Sequence, residues 1–206
     1  MHKALWQERA RSLAAPLVTM LARAGVTPTA VTMVGLVLHV LVGVLIGTGR
    51  LVSAGALLLL AAICDGLDGA LARQTGRVSR FGAFLDSTVD RIDETAVLAG
   101  LSAYFFRSGI PEGGTWGVVV LVALGGSLIT SYARARAEGL GLECKVGWFE
   151  RPERVAVTVL GLLLGSLWLR AATVILTVFS WYTVLQRILH VRRLTTLPGS
   201  SPDPEA

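Results

Sequence analysis

Long apolar segments separated by short polar stretches run through most of the chain. Six of these segments approach the length of roughly 20 residues that a membrane-crossing helix requires: 29–48, 51–72, 82–106, 115–137, 153–169 and 171–190. This pattern predicts an all-α integral membrane protein with six transmembrane helices.

The two flanking regions have different patterns. Residues 1–24 carry apolar side chains on one helical stripe and charged or polar ones on the other, which predicts an interfacial amphipathic helix before the spans. A plain cytosolic helix packed on the bundle is the alternative. The C-terminal region is rich in Pro, Gly and Ser, which predicts disorder. We therefore expect a juxtamembrane helix at 1–24, a six-helix domain at 25–193 and a disordered tail at 194–206.

Two apolar segments contain acidic residues. Asp65 and Asp68 are three residues apart and Asp86 and Asp90 are four apart, so on helices each pair projects from one face. A carboxylate near the bilayer centre costs about 2.5 to 3.5 kcal/mol on insertion scales, so keeping four of them requires a compensating positive charge. The polar stretch 73–81 folds the two helices into an antiparallel hairpin. Four converging carboxylates with few neighbouring cations predict a site for Mg²⁺ or Mn²⁺.

The spacing of this region resembles the signature of the CDP-alcohol phosphotransferase family. The match holds at all eight fixed positions of Asp65-x2-Asp68-Gly69-x2-Ala72-Arg73-x8-Gly82-x3-Asp86-x3-Asp90. The resemblance implies a membrane enzyme in which an alcohol displaces CMP from a CDP-linked alcohol. It also implies two divalent ions held by the four aspartates, Asp90 as general base and a homodimer. If Asp90 is not the base, Asp93 on the same helical face would be next.

The donor site is expected around the first half of the signature. Small residues there allow close approach of a helix or ligand, although ordinary helix packing explains any one of them equally well. Seven positions are expected to bind CDP-diacylglycerol: Pro28, Thr32, Asp68, Gly69, Ala72, Arg73 and Arg77. Pro28 and Thr32 are included by resemblance alone.

A second polar cluster closes the fourth span and opens the fifth. Arg134 lies one turn beyond Ser131, and Arg154 lies at the start of a helix, where backbone N–H groups favour anions. With Arg192 or Arg193 after the last span, three guanidinium groups can form a phosphate pocket beside the aspartates, because arginine binds phosphate bidentately. Positive-inside anchoring without a ligand is the alternative.

The second cluster also carries a resemblance. Residues 131–142, with Val146-Gly147 and Glu150-Arg151-x2-Arg154, resemble the actinobacterial phosphatidylinositol phosphate synthase branch of the family. The resemblance implies transfer of a phosphatidyl group from CDP-diacylglycerol to inositol 1-phosphate, giving phosphatidylinositol phosphate and CMP. It places the acceptor phosphate on Ser131, Arg134, Arg154 and a C-terminal arginine, taken here as Arg193.

Composition and charge support a membrane protein. Hydrophobic residues make up 53% of the chain and charged residues 16%, with a net charge of +5. The basic residues are spread over several loops and form no single stripe, which argues against nucleic-acid binding. With the N-terminus inside, 16 of the 19 lysines and arginines fall in inner segments, leaving Arg50, Arg107 and Arg170 outside. The positive-inside rule then places both termini and the aspartate site on the cytoplasmic side of the cell membrane.

Other functions remain open at this point. A phosphatidylglycerophosphate synthase, or an enzyme using another alcohol, would share the first motif and differ only in the second cluster. An ion-coupled transporter would also keep carboxylates in the membrane, but transporters commonly have repeated halves and this chain has no repeat. A non-catalytic lipid-binding scaffold would not need paired acids at metal-binding spacing.

Overall fold

The computed structural model describes residues 15–107 and 109–196, and their regular structure is helical. In chain order the helices are α1 (15–23), α2 (Pro28–Gly47), α3 (Leu51–Gln74), α4 (Arg80–Arg107), α5 (Gly113–Gly139), α6 (Arg151–Leu164) and α7 (Ser166–Thr196). The prediction of an all-α chain is confirmed over these residues. The parts of the amphipathic helix and the tail expected at 1–14 and 197–206 lie outside the described residues.

Four helices, α2, α3, α5 and α7, are long and apolar enough to cross a membrane. Helix α4 has 28 residues but carries the second pair of aspartates together with other charged side chains. Helix α6 has 14 residues, fewer than a lone span requires. A multi-pass membrane protein is therefore supported by four helices, and the fifth and sixth spans stay a prediction.

Two predicted boundaries near the C-terminus were wrong. The break between the last two helices was expected at Arg170, but it lies at Gly165, whose φ of 97° is a conformation that favours glycine. Arg170 is inside α7. Residues 194–196, expected in the disordered tail, are also helical, because α7 continues to Thr196.

Helix ends in the first hundred residues follow from local chemistry. The Thr27 side chain accepts a hydrogen bond from the Ala30 N–H, and Pro28 occupies the first turn of α2, as the sequence predicts. After the C-terminal end of α3, Gly76 has a φ of 66°, and the Arg77 N–H donates to the Ala72 carbonyl at 2.9 Å. This glycine-capped turn reverses the chain into α4.

The chain divides into two compact units, one up to Gly100 and one from Leu101. In the first unit α2 packs on α3, and Val18 of α1 is buried against Val31, Leu67 and Leu71. The described part of α1 therefore packs on its own unit, and an additional place in the membrane interface stays a prediction.

Backbone contact also joins α2 to α4 within the first unit. A Cβ added at Gly43 would lie 2.4 Å from the Ala96 carbonyl oxygen, so only glycine permits this approach. In the second unit α7 packs on both α5 and α6.

Candidate active site

A cavity of about 540 Å³ lies in the first unit. The start of α2, the last two turns of α3, the turn after it and the start of α4 line this cavity. Asp86 lines this cavity. So do all seven positions predicted to bind CDP-diacylglycerol: Pro28, Thr32, Asp68, Gly69, Ala72, Arg73 and Arg77. The hairpin signature and the N-terminal turn of α2 thus meet at one cavity.

Asp68 is held firmly in the wall of the cavity. Its side chain is buried, and the Thr32 hydroxyl donates to Oδ2 at 2.7 Å, while the Gly69 N–H donates to Oδ1 at 2.5 Å. Hydrogen bonds to a charged group are stronger than neutral ones, so this carboxylate has a fixed orientation. Thr32 reaches Asp68 from a helix 36 residues earlier in the chain.

The cavity wall also contains basic residues. Arg73 and Arg77 are exposed, and a Cβ added at Gly69 would lie 3.4 Å from the Arg73 Nη1. The absence of a side chain at Gly69 leaves that space for the guanidinium group. Carboxylates with guanidinium groups in the same wall suit a phosphate ligand together with a hard cation.

The aspartates are divided between two environments. Asp68 and exposed Asp86 line the cavity, and half-buried Asp90 follows one turn later on α4. Asp65 instead lies near His39 and Asp93, and the ligand atoms of these three residues are within 4.8 Å of one another, a spacing compatible with a metal ion. The carboxylate oxygens of both groups fit a divalent cation. The set of four metal ligands, and Asp90 as base, stay predictions.

The sequence reasoning missed His39. A single histidine in an apolar span is an available signal, because a buried polar side chain needs a partner. Asp93, considered as a second choice of base, is 1% exposed and 3.4 Å from the His39 Nδ1. This burial makes Asp93 unsuitable for taking a proton from an incoming alcohol.

In the second unit the predicted acceptor residues differ in their surroundings. Arg154 is buried, and its Nη1 donates to the Phe149 carbonyl at 3.2 Å. Arg134 is partly exposed and its Nε donates to Glu138 Oε1 at 2.8 Å, one turn after half-buried Ser131. Arg193 is exposed in the last turn of α7. Their common role in binding a phosphate stays a prediction.

Arg187 of α7 was also missed as an individual residue. It is 3% exposed, with Nη1 donating to the Thr130 carbonyl at 2.5 Å and Nε donating to the Val146 carbonyl at 3.0 Å. Its Nη2 lies 3.8 Å from Glu150 Oε1. Arg187 therefore connects α5, α7 and the 140–150 segment, whereas the charge pattern assigned it only to membrane topology.

The sequence matches a known protein family. Residues 25–188 match the family model of CDP-alcohol phosphatidyltransferases. The chain belongs to this family. The match contains the donor cavity, the four aspartates and Arg187, and it ends before Arg193. The predicted CDP-alcohol phosphotransferase is therefore confirmed as a membrane transferase.

Within the CDP-alcohol phosphatidyltransferases, similar proteins make inositol phospholipids. The chain is 40% identical over 196 residues to the phosphatidylinositol phosphate synthase of Mycobacteroides abscessus, covering 90% of this chain and 84% of the relative. It is also 40% identical over 149 residues to the archaetidylinositol phosphate synthase of Methanothermobacter thermautotrophicus, covering 70% of this chain and 72% of that one.

Solved structures of the family have the same fold. The Mycobacterium tuberculosis phosphatidylinositol phosphate synthase with CDP-DAG bound has a TM-score of 0.83 and 32% identity, covering 95% of this chain and 100% of that one. The same enzyme in complex with manganese and citrate has a TM-score of 0.82 and 33% identity, with 91% of each chain covered. The manganese complex and the carboxylates here support a divalent metal in this family member.

Proposed function

We propose that this protein transfers a phosphatidyl group from CDP-diacylglycerol to inositol 1-phosphate, releasing CMP. The donor cavity carries the proposal, because its wall contains all seven predicted donor positions. The 32% identity and TM-score of 0.83 to an enzyme with CDP-DAG bound support the same ligand here. The two 40% identical relatives are both named for inositol phosphate products and differ in the lipid, which favours inositol phosphate as the acceptor.

The cavity suits the polar part of the donor. Arg73 and Arg77 offer guanidinium groups to the pyrophosphate, and the small side chains of Gly69 and Ala72 leave room for the nucleotide. Apolar side chains at the start of α4 and just before it, including Val78, Phe81 and Phe84, are exposed. They can contact the acyl chains, which stay in the lipid.

Asp65, Asp68, Asp86 and Asp90 are the proposed ligands of two Mg²⁺ or Mn²⁺ ions. Bound ions would neutralise negative charge on the pyrophosphate and its leaving group. The hydroxyl oxygen of the acceptor attacks the phosphorus of the phosphatidyl group, and Asp90 accepts the proton of that hydroxyl. The bond from that phosphorus to the CMP oxygen breaks, and CMP leaves with the bonding electrons.

The acceptor phosphate is assigned to Ser131, Arg134, Arg154 and Arg193. Guanidinium forks match the geometry of a phosphate and make charge-assisted hydrogen bonds to it. Partial exposure of Arg134 is consistent with a ligand contact. Buried Arg154 also supports its own loop through the Phe149 carbonyl, so its replacement would affect folding as well as binding.

The proposed enzyme crosses the cell membrane six times, with α4 and α6 as the two further spans, and functions as a homodimer. Its termini and active site face the cytoplasm, which the charge distribution along the sequence supports. Cysteines introduced at Gly49 and Pro111 should react with an impermeant reagent in intact cells, and one at Lys145 should not. Labelling of Lys145→Cys alone would reverse the orientation.

CMP release from CDP-diacylglycerol tests the substrate assignment. Inositol 1-phosphate should support rapid release, and free inositol and glycerol 3-phosphate should support little. Arg134→Ala should raise the KM for inositol 1-phosphate roughly ten- to a hundredfold, because a lost charge-assisted contact costs about 1.5 to 3 kcal/mol. Arg136→Ala, on the same helix but outside the proposed pocket, is the control. Preference for glycerol 3-phosphate would indicate a phosphatidylglycerophosphate synthase, and equal use of free inositol would refute the phosphate pocket.

A further inference from the structure

His39 lies between two carboxylates inside the first unit. Its side chain is 2% exposed, with Nε2 at 3.7 Å from Asp65 Oδ2 and Nδ1 at 3.4 Å from Asp93 Oδ2. The three residues come from α2, α3 and α4. One imidazole therefore connects the carboxylate that begins the family signature to a buried carboxylate on the next helix.

The ring is fixed by its own helix. The His39 Nδ1 is 2.9 Å from the Gly35 carbonyl oxygen one turn earlier. A carbonyl only accepts hydrogen bonds, so Nδ1 donates to Gly35. The Gly35 carbonyl therefore restricts the orientation of the imidazole from within α2. Nε2 faces Asp65 Oδ2 at 3.7 Å, beyond hydrogen-bond length, so the ring restricts this carboxylate by contact.

Gly35 also restricts Asp65 directly. A Cβ added at Gly35 would lie 3.1 Å from Asp65 Oδ1, closer than most real Cβ contacts. One oxygen of Asp65 thus packs against bare backbone of α2, and the other faces the imidazole. Gly35 and His39, one turn apart on α2, therefore both contact the Asp65 carboxylate and restrict its position.

The two nitrogens of His39 face different carboxylates. This arrangement bears on whether His39 binds a metal ion directly or positions a carboxylate that does. A residue that ligates an ion directly presents one nitrogen to the same ion as its neighbours. Here Nδ1 donates to Gly35 and lies near Asp93 while Nε2 faces Asp65, so the ring lies between the two acids, although one of its nitrogens is within 4.8 Å of a carboxylate oxygen of each. Groups that hold a ligating carboxylate in place contribute to metal affinity without contacting the metal.

We propose that Gly35 and His39 are positioning residues that fix Asp65 in the orientation required for metal binding, with Asp93 holding the far side of the imidazole. This inference rests on the proposed function, in which Asp65 is a metal ligand. It assigns a role in the reaction to a histidine and a glycine that lie outside the signature and contribute no ligand atom.

Manganese titration of the detergent-purified full-length protein tests the role, with bound Mn²⁺ counted by electron paramagnetic resonance. Replacing groups around a ligating carboxylate typically weakens metal binding ten- to a hundredfold. His39→Leu should therefore raise the Mn²⁺ concentration at half-saturation by roughly tenfold or more without changing the number of ions bound. The Mn²⁺-dependent shift in Tm should move to higher concentrations in parallel.

Gly35→Ala keeps the test valid if His39→Leu does not fold. Its added methyl should displace the Asp65 carboxylate and raise the half-saturation concentration in the same direction. Gly66→Ala is the matched control, because a Cβ there meets nothing within 4 Å although Gly66 adjoins Asp65. It should leave Mn²⁺ binding unchanged.

Two results would overturn the proposal. An unchanged half-saturation concentration with a lower metal-free Tm would make His39 purely structural, and loss of one bound ion in His39→Leu would make it a direct ligand. Asp65→Asn and Asp68→Asn are measured alongside. If neither alters Mn²⁺ binding, the proposed metal function fails. If they do and the Gly35 and His39 variants do not, only this inference fails.

Discussion

The side chains of Asp68 and Arg187 are both buried and charged, but their partners differ in kind. Asp68 accepts a side-chain hydroxyl from Thr32 and forms part of a cavity wall. Arg187 donates mainly to backbone carbonyls, those of Thr130 and Val146, and joins segments of the second unit. Carbonyl partners satisfy the guanidinium inside the protein, whereas a carboxylate on a cavity can also meet a ligand. The arrangement around Asp68 suits ligand binding, and the arrangement around Arg187 suits stabilisation of the fold.

Asp90→Asn should have the largest effect on activity in this comparison. Loss of a general base typically lowers the rate by about 10² to 10⁴-fold. The amide keeps the size of the side chain, so the Tm should change little. Because Asp90 is also a proposed metal ligand, Mn²⁺ binding should weaken, but the other three aspartates still hold ions, so the rate should stay low at saturating Mn²⁺. Turnover of CDP-diacylglycerol with inositol 1-phosphate measures the effect. A near-normal rate would remove Asp90 from the role of base.

Arg187→Met should have the largest effect on stability. The variant removes the hydrogen bonds that the guanidinium donates to the Thr130 and Val146 carbonyls, and a buried polar group left without its partner costs about 1 to 3 kcal/mol. The Tm in detergent should fall strongly, while the KM for CDP-diacylglycerol of the remaining folded enzyme should be nearly unchanged. Arg192→Met, exposed on the same helix, is the control. A normal Tm with impaired use of inositol 1-phosphate would move Arg187 from support to ligand binding.

The hairpin was predictable and its partners were not. The signature spans residues 65–90, so its spacing, the turn at Gly76 and the shared face of each aspartate pair follow from local helix geometry. His39 and Thr32 meet this region from α2, and Arg187 reaches Thr130 from 57 residues away. Such contacts depend on how helices pack, which the local patterns of a sequence do not reveal. The helix break at Gly165 was missed because the charge of Arg170 was the stronger signal for a loop.

Thr32→Val should have a moderate effect that sharpens the role of Asp68. The variant keeps the side-chain volume but removes a hydrogen bond to a charged acceptor, a contact worth about 1.5 to 3 kcal/mol. The Mn²⁺ concentration for half-maximal activity should rise, with a smaller change in Tm. Thr32→Ser, which retains the hydroxyl, should restore most of the metal response. Equal loss in both variants would show that the methyl group of Thr32 is needed as well as its hydroxyl, and an unchanged metal response in Thr32→Val would show that the hydroxyl has no role.

The smallest effect is expected at Glu143, whose exposed carboxylate lies 2.5 Å from the Lys145 Nζ. The hydrogen bond and charge of Lys145 lower the pKa of Glu143 below its ordinary value. A lowered pKa in the folded state means that the pair stabilises above the unfolded pKa and loses this contribution as the pH falls through the folded one. Solvent screens so exposed a pair, so Glu143→Gln should leave the Tm at neutral pH within error.

Glu150→Gln should lower the Tm, because Glu150 caps α6 and faces Arg187. Equal Tm values for the two variants would show that the buried guanidinium draws its support from the carbonyls alone.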